Sequence, residues 1–200
     1  MYTPFLWIDV DHVLQDLDMA VVEFCKRYPE LSYHEEPDIK MWCYGYGKKR
    51  FAPIYNHMIR MGWILQMEFF PGVIEAVAEI KRGGWDVGFL TARCSIDKNI
   101  ECTRLIHEHT RQVFHAHGLL DLGQLVFEPD KKSEYIAKNG GDAIIDDHPG
   151  TCFDCSRVTS LNGGLVKAYL KSCPHNEEGE LSDFTPRVAC LSELPDLVLS

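Results

Sequence analysis

The chain has 200 residues, of which 46% are hydrophobic and 25% charged, and this balance predicts one folded domain with room for a modest insertion rather than a disordered chain. No apolar run approaches the length of a membrane span, so no membrane partner is expected. The net charge of −10 disfavours binding to a long nucleic acid, but a small phosphorylated substrate remains compatible because a cation and a few local donors can hold it.

The first predicted element is a buried strand formed by the apolar run FLWI at residues 5–8, which ends at Asp9. The residues before it lack the basic region of a secretory signal, so the expected compartment is the cytoplasm. The eight cysteines of such a protein are expected to be mostly reduced and buried.

A mainly helical segment is expected after this strand. Apolar residues recur at helical spacing in two stretches, and an irregular segment rich in aromatic residues lies between them at about residues 30–50. We interpret residues 15–68 as a helical cap inserted into the main domain. The main domain then comprises residues 1–14 and 69–200.

Beyond the cap, predicted strands alternate with predicted helices. One helix is expected to begin at Pro71-Gly72 and to end at Gly83-Gly84. Strands are predicted at residues 87–90, 124–127, 143–145, 157–160 and 165–170. This alternation is typical of a Rossmann-like three-layer α/β/α fold, in which helices cover both faces of a parallel sheet.

Polar residues stand at or just beyond the carboxyl ends of these strands, at the sheet edge where α/β folds bind ligands. They form four features: Asp9-Val10-Asp11, Thr91-Ala92-Arg93, Lys132 and Asp146-Asp147. Asp9 and Asp11 start on the same face of an extended segment, where two carboxylates repel each other unless a cation lies between them. An oxygen-only ligand set favours Mg²⁺. Any one pair is typical of a helix cap or a turn, whereas all four features in this order indicate a site.

The segments that carry these features are IDVDHVL, FLTAR, the region of Lys132 and AIIDDHP. In this order they resemble the four successive motifs of the haloacid dehalogenase superfamily. Within it, the chain is most similar to the 5′(3′)-deoxyribonucleotidases and their phage and bacterial relatives, on the basis of DVDHVLQDLD, EFFPGVIEAVAEI, IIDDHP and the size of the cap. Such relatives commonly carry glycine where this chain has His12.

The resemblance implies a Mg²⁺-dependent phosphatase. Asp9 would attack phosphorus and form an aspartyl-phosphate, and Asp11 would protonate the leaving oxygen and then deprotonate the hydrolytic water. Mg²⁺ would be bound by the Asp9 carboxylate, the Asp11 backbone carbonyl and Asp147, with Asp146 acting through a water molecule.

The resemblance also implies the phosphate-binding residues. Thr91, with Ala92 beside it, would hydrogen-bond a phosphoryl oxygen, and Lys132 would pair with the phosphate and the nucleophile. Lys131 is the poorer candidate for that lysine. Arg93 is expected either to reach the phosphate or to form a surface salt bridge.

Two further groups of residues have open roles. Trp42, Tyr44 and Tyr46 are expected either to stack on a nucleobase or to pack within the cap. His12 would contact the phosphate or the leaving group, or have no catalytic part.

A structural zinc site is a further hypothesis. Its ligands would be Cys152, Cys155, Cys173 and His175, since the first two have the spacing of a zinc ligand pair. The alternative is that eight cysteines produce such spacings by chance.

The sequence thus predicts an enzyme that hydrolyses a small phosphomonoester, with a (deoxy)nucleoside monophosphate as the first choice. Two alternatives stay open: a phosphatase for a sugar phosphate or a nucleic-acid end, and a catalytically silent protein that binds a ligand. The silent protein is expected to lack Asp9 or Asp11, and both are present. A homodimer is compatible with the sequence.

Overall fold

The structure, a computed structural model, describes residues 2–30, 47–95, 97–127, 131–173, 176 and 186–200, with the backbone alone for 47–50. Its strands are β1 (Phe5–Ile8), β2 (Asp86–Thr91), β3 (Gly123–Phe127), β4 (Ala143–Asp146), β5 (Lys167–Lys171) and β6 (Arg187–Val188). They form one parallel sheet in the order β3-β2-β1-β4-β5-β6. The chain therefore builds one half of the sheet outward from β1 and then crosses to its other side, and the crevice at such a reversal is where α/β folds bind ligands.

Helices cover both faces of the sheet. They are α1 (Leu17–Arg27), α2 (Gly47–Arg60), α3 (Val73–Arg82), α4 (Ile100–Ala116), α5 (Leu119–Leu122), α6 (Lys132–Asn139), α7 (Pro149–Cys155) and α8 (Leu194–Leu199). Short 3-10 turns lie at Trp63–Gln66 and Leu191–Glu193. In the described part of the chain, no helix combines the length and the apolar character that crossing a membrane requires.

Alternation along β1 divides the core into two layers. Leu6 and Ile8 face a cluster that includes residues of α3, α5 and α8, whereas Trp7 faces a cluster that includes residues of α6 and α7. Successive side chains of a strand point to opposite faces, so a strand buried on both faces is apolar at every position. The predicted three-layer α/β/α fold is confirmed.

A third cluster of buried residues lies among α1, α2 and the first 3-10 turn. Phe24 and Trp63 meet there edge to face, with ring centroids 5.3 Å apart. Cys102 and Ile106 of α4 complete this cluster, which joins these helices to the sheet domain. The division of the chain into a cap at 15–68 and a core stays a prediction.

Several element boundaries differ from the prediction. The strand expected at 157–160 is wrong, because residues 156–164 turn and make one antiparallel bridge, Thr159 to Leu165. Helix α3 begins after Gly72, whose φ of 79° favours glycine and interrupts the helix, so Pro71 precedes the helix instead of opening it. The two-residue strand β6 has too short an apolar run to be recognised in the sequence.

Candidate active site

Three carboxylates meet where the carboxyl ends of β1 and β4 lie side by side. Asp9 follows β1, and its backbone N–H donates to the carbonyl of Ile145 in β4 at 2.9 Å. That register brings Asp9 next to Asp146, the last residue of β4, and to Asp147. One ligand oxygen from each of these three buried aspartates lies within 4.8 Å of the other two.

Lys132 neutralises part of this negative charge. Its Nζ lies 2.7 Å from Asp9 Oδ1 and 2.7 Å from Asp146 Oδ2. Burial lowers the pKa of Lys132, but the carboxylates of Asp146 and Asp9 raise it by more, so the ammonium stays charged. Lys131, by contrast, has an exposed side chain and pairs with Glu134 on the surface.

The carboxyl group of Asp9 is electrostatically strained. Burial raises its pKa well above the usual range, and the charge of Lys132 lowers it only in part. Asp146, Asp147 and Asp11 each raise it further through repulsion. A second positive charge among these carboxylates would therefore favour the ionised form of Asp9.

The three aspartates fit a Mg²⁺ ion. They offer only oxygen ligands, which Mg²⁺ prefers, and one oxygen from each lies within 4.8 Å of the other two. The carboxylate of Asp146 already accepts from Lys132 through Oδ2 and from the His148 N–H through Oδ1, at 2.7 and 2.8 Å. That Asp147 coordinates the ion directly and Asp146 through water stays a prediction.

Arg93 is buried, with 3% of its surface exposed, and pairs with Asp11. Its Nη2 lies 2.6 Å from Asp11 Oδ1, and its Nε lies 3.0 and 3.1 Å from the two carboxylate oxygens. The salt bridge considered for Arg93 is formed, but the arginine lies inside the protein instead of on the surface, and its partner Asp11 is partly exposed. Burial lowers the pKa of Arg93, but Asp11 raises it by more.

The loop after β2 holds the other predicted phosphate-binding residues. Thr91 is fully buried, and its Oγ1 accepts a hydrogen bond from the Arg93 N–H at 3.2 Å. Ala92 between them is exposed. Their contacts with a phosphate stay predictions.

His12 follows Asp11 in the left-handed region, with φ of 58°. Glycine adopts this conformation at no steric cost, which is why glycine suits this position, and histidine adopts it here at a cost of about 1 kcal/mol. Its N–H donates to the Gln15 carbonyl at 2.7 Å, and its carbonyl accepts from the Cys173 thiol at 3.4 Å. The backbone turn at residue 12 is therefore formed with histidine in place of glycine.

Comparison with solved structures finds this fold in several hydrolases. A haloacid dehalogenase-like hydrolase from Streptococcus pneumoniae is similar with a TM-score of 0.66 and 14% identity, over 98% of each chain. A haloacid dehalogenase-superfamily hydrolase of subfamily IA from Geobacter sulfurreducens has a TM-score of 0.62 and 16% identity, over 98% of this chain and 96% of that one. The chain has the fold of the haloacid dehalogenase-like hydrolases.

A phosphatase is among the structures with this haloacid dehalogenase-like fold. D,D-heptose 1,7-bisphosphate phosphatase from Burkholderia thailandensis has a TM-score of 0.53 and 15% identity, over 98% of this chain and 99% of that one. No protein-family model and no curated protein sequence matches the chain. At these identities the likeness shows the fold, and the chemistry of this chain is argued from its own residues.

Sequence reasoning missed two buried amides in this haloacid dehalogenase-like fold. Gln15 Oε1 accepts from Arg93 Nη2 at 2.8 Å, and Asn176 Nδ2 donates to the Asp147 carbonyl at 2.6 Å. Neither amide belongs to one of the four motifs, and the two contacts join residues 78 and 29 positions apart. No local signal could have found them.

Three hydrogen-bonded residues that the sequence also did not predict join helix α2 to the loop after β2. Asn56 Nδ2 donates to Asp97 Oδ2 at 2.9 Å, and Ser95 Oγ lies 2.9 Å from Asn56 Oδ1. The hydroxyl of Ser95 also contacts Asp97, and this hydrogen bond, followed by that of Asn56, lowers the pKa of Asp97. These contacts hold α2 beside the residues that follow Thr91.

The predicted base-stacking residues Trp42, Tyr44 and Tyr46 lie outside the described residues, so their role stays a prediction.

The zinc hypothesis receives no support. Cys152 and Cys155 are buried in α7, and the Cys152 thiol lies 3.4 Å from the carbonyl of Tyr169. Burial raises the pKa of Cys155 and of Cys173 to about 12. His175 lies outside the described residues. Among residues that are described, the three aspartates form the only group whose ligand atoms converge.

The roles of the paired aspartates can be separated by a metal titration. We expect Asp147→Asn to raise the Mg²⁺ concentration for half-maximal phosphatase activity by about 100-fold, and Asp146→Asn to raise it by about tenfold. The reason is that a direct ligand contributes more to Mg²⁺ affinity than a residue that acts through water, and Asp147 is the expected direct ligand. EDTA should abolish the expected phosphatase activity, and added Mg²⁺ should restore it. Calorimetric Mg²⁺ binding gives a second measurement, and a larger effect of Asp146→Asn would contradict the assignment.

Proposed function

We propose that the protein is a Mg²⁺-dependent phosphomonoester hydrolase that uses Asp9 as nucleophile and Asp11 as general acid and base. The observation that carries this proposal is the buried cluster of Asp9, Lys132, Asp146 and Asp147 at the carboxyl edge of the sheet. An accumulation of three buried carboxylates and one lysine is costly for stability and typical of a site that binds a cation.

In the first step, an Asp9 carboxylate oxygen attacks the phosphorus. The new bond to Asp9 forms as the bond between phosphorus and the leaving oxygen breaks, and the Asp11 carboxyl gives its proton to that oxygen. The products of this step are the free alcohol and an aspartyl-phosphate on Asp9.

In the second step, a water oxygen attacks the phosphorus. Its proton passes to the Asp11 carboxylate while the bond between phosphorus and Asp9 breaks. Inorganic phosphate leaves, and both aspartates return to their starting protonation states.

Other residues prepare these steps. Lys132 and the Thr91 loop lie next to the nucleophile strand, where they offset the charge of an incoming phosphate. Mg²⁺, when bound, neutralises phosphate charge and lets two anions approach each other. Arg93 stabilises the carboxylate that Asp11 becomes after it gives up its proton.

The substrate that we propose is a nucleoside 5′-monophosphate, with a deoxyribonucleotide as the first choice. The sequence carries Trp42, Tyr44 and Tyr46 directly before α2, and α2 is joined to the loop that follows Thr91. Aromatic side chains stack on bases, and each such contact contributes about 1–3 kcal/mol. This argument supports a nucleotide over a substrate with no aromatic group.

A sugar phosphate is the second candidate substrate. The observation in its favour is that a heptose bisphosphate phosphatase has the same fold. A silent ligand-binding protein is disfavoured because Asp9 and Asp11 are both present, and Asp9 keeps its lysine partner. The two substrate classes differ in whether an aromatic ring is offered to the protein.

A substrate panel tests the nucleotide proposal. With Mg²⁺, a deoxynucleoside monophosphate should have a kcat/KM about tenfold or more above that of a hexose phosphate, because stacking contributes to binding. Alanine at Trp42, Tyr44 or Tyr46 should narrow this gap in at least one variant, and p-nitrophenyl phosphate should remain a substrate in all three. Equal efficiency on nucleotides and sugar phosphates would leave only the broader phosphatase proposal.

A further inference from the structure

We propose that Gln15 is a positioning residue for Asp11 and acts through Arg93; this inference rests on the proposed phosphatase function. Gln15 is fully buried, and both ends of its side-chain amide are bonded. Its Oε1 accepts from Arg93 Nη2 at 2.8 Å, and its Nε2 donates to the carbonyl of Met67 at 3.0 Å. A buried amide with both groups paired has one preferred orientation.

The backbone of Gln15 pairs with two segments of the chain. Its carbonyl accepts the His12 N–H at 2.7 Å, and its own N–H donates to the carbonyl of Val10 at 3.1 Å. A short bridge pairs Gln15 with Phe69, on the segment that returns toward α3. The amide that contacts Arg93 is therefore fixed by backbone on both sides.

The contact with Gln15 fixes the plane of the Arg93 guanidinium. Nη2 carries two N–H groups in that plane, and the structure directs them to Asp11 Oδ1 and to Gln15 Oε1. On the other side, Nη1 donates to the Thr110 hydroxyl at 3.2 Å. Without Gln15, Nη2 of Arg93 keeps Asp11 as an acceptor but loses its second acceptor. The guanidinium can then turn.

The orientation of Arg93 decides which Asp11 oxygen is available for proton transfer. Asp11 Oδ1 accepts contacts of 2.6 and 3.0 Å, whereas Oδ2 accepts one contact of 3.1 Å. Oδ2 is thus the oxygen with fewer donors, and in this inference the proton passes through it to the leaving oxygen. As that proton leaves, the guanidinium stabilises the carboxylate that forms. A turned guanidinium would misplace this oxygen and slow the proton transfer.

Two aryl phosphates of similar size test the inference. Phenol is a weaker acid than p-nitrophenol, so departure of phenol depends more on protonation by Asp11. We expect Gln15→Met to lower kcat/KM for phenyl phosphate about tenfold or more, and for p-nitrophenyl phosphate only about two- to threefold. The value of kcat/KM covers the steps up to departure of the phenol. The kcat/KM for p-nitrophenyl phosphate divided by that for phenyl phosphate therefore reports on protonation of the leaving oxygen by Asp11.

A matched control separates positioning from a general loss of packing. Tyr169→Phe removes a partly buried hydrogen bond from the hydroxyl of a buried tyrosine to the carbonyl of Leu197, which lies on α8 and away from the site. Tyr169→Phe should leave the ratio of the kcat/KM values for the two aryl phosphates unchanged. Gln15→Glu provides a second variant of the same length. The carboxylate that replaces the amide competes with Asp11 for Arg93. The kcat/KM for p-nitrophenyl phosphate divided by that for phenyl phosphate should therefore rise, as in Gln15→Met.

The outcomes are distinct. The inference is supported if kcat/KM for p-nitrophenyl phosphate divided by kcat/KM for phenyl phosphate rises in the Gln15 variants and not in Tyr169→Phe. A ratio equal to that of the parent in a folded Gln15 variant overturns it, and so does a loss of folding in both Gln15 variants. A parent protein with no activity on either aryl phosphate would reject the proposed function itself, and the inference with it.

Discussion

We expect Asp9→Asn to lower kcat by at least about 10⁴-fold while the protein stays folded. An amide cannot form the aspartyl-phosphate, so the first chemical step is blocked. The fold should tolerate the change because burial already raises the pKa of Asp9 well above its usual range, and asparagine resembles the neutral form. Turnover of p-nitrophenyl phosphate with Mg²⁺, together with circular dichroism and thermal unfolding, gives the measurement.

Asp142→Asn is the matched control for this experiment. Asp142 is also buried, but it precedes β4 at the opposite edge of the sheet, where it accepts from the Tyr2 hydroxyl and from the Phe5 N–H. Its substitution should leave kcat within about twofold of the parent, since stability rather than chemistry depends on it. Substantial Mg²⁺-dependent activity in folded Asp9→Asn would reject Asp9 as the nucleophile.

The second large effect is expected at Lys132. Lys132→Met should lower the free energy of unfolding at pH 7 by about 3–5 kcal/mol, because it leaves Asp9 and Asp146 buried without the cation that contacts both. Turnover should be lost as well. Lys131→Met should change stability by less than about 0.5 kcal/mol, since its pair with Glu134 is exposed.

The stability loss in Lys132→Met should depend on pH. Without the lysine, the pKa of Asp9 in the folded state rises further above its value in the unfolded chain. The folded state then binds protons that the unfolded state has released, so stability falls as pH rises above about 4. Denaturant unfolding of parent and variant should show the largest difference near neutral pH and a smaller one toward pH 4. An equal difference at both pH values would mean that packing rather than charge is lost.

The arrangement of strands explains why these effects concentrate at one edge. Because β1 pairs with β2 on one side and with β4 on the other, the residues that follow these three strands meet in one crevice. Asp9 receives neighbours from β4 and from the start of α6, and Asp11 receives Arg93 from the loop after β2. The two aspartates of one motif thus have different partners, a lysine and an arginine.

The strands of the fold were predicted from local hydrophobic patterns, which succeeded for some segments and failed for another. Strands β1, β2 and β4 were recognisable because a strand buried on both faces is a short apolar run. The edge strand β3 is only partly buried, but its apolar residues also form a short run. The expected strand at 157–160 failed because a run of that length also suits a turn stabilised by side-chain hydrogen bonds, such as that of Ser160 with Asn162. Hydrophobic pattern alone cannot separate the two.

By itself, the sequence determined the α/β order of elements and the placement of Asp9, Asp11, Lys132, Asp146 and Asp147 at strand or helix ends. These are local properties, since a polar residue after an apolar run is visible within a few positions. Only the tertiary structure decided that Arg93 is buried against Asp11 and that Gln15 holds Arg93. Those partners are 82 and 78 positions apart, and they meet because parallel pairing of β1 with β2 aligns their carboxyl ends. Which side chains share a buried hydrogen-bond network depends on that alignment and on packing, and neither is encoded within a single motif.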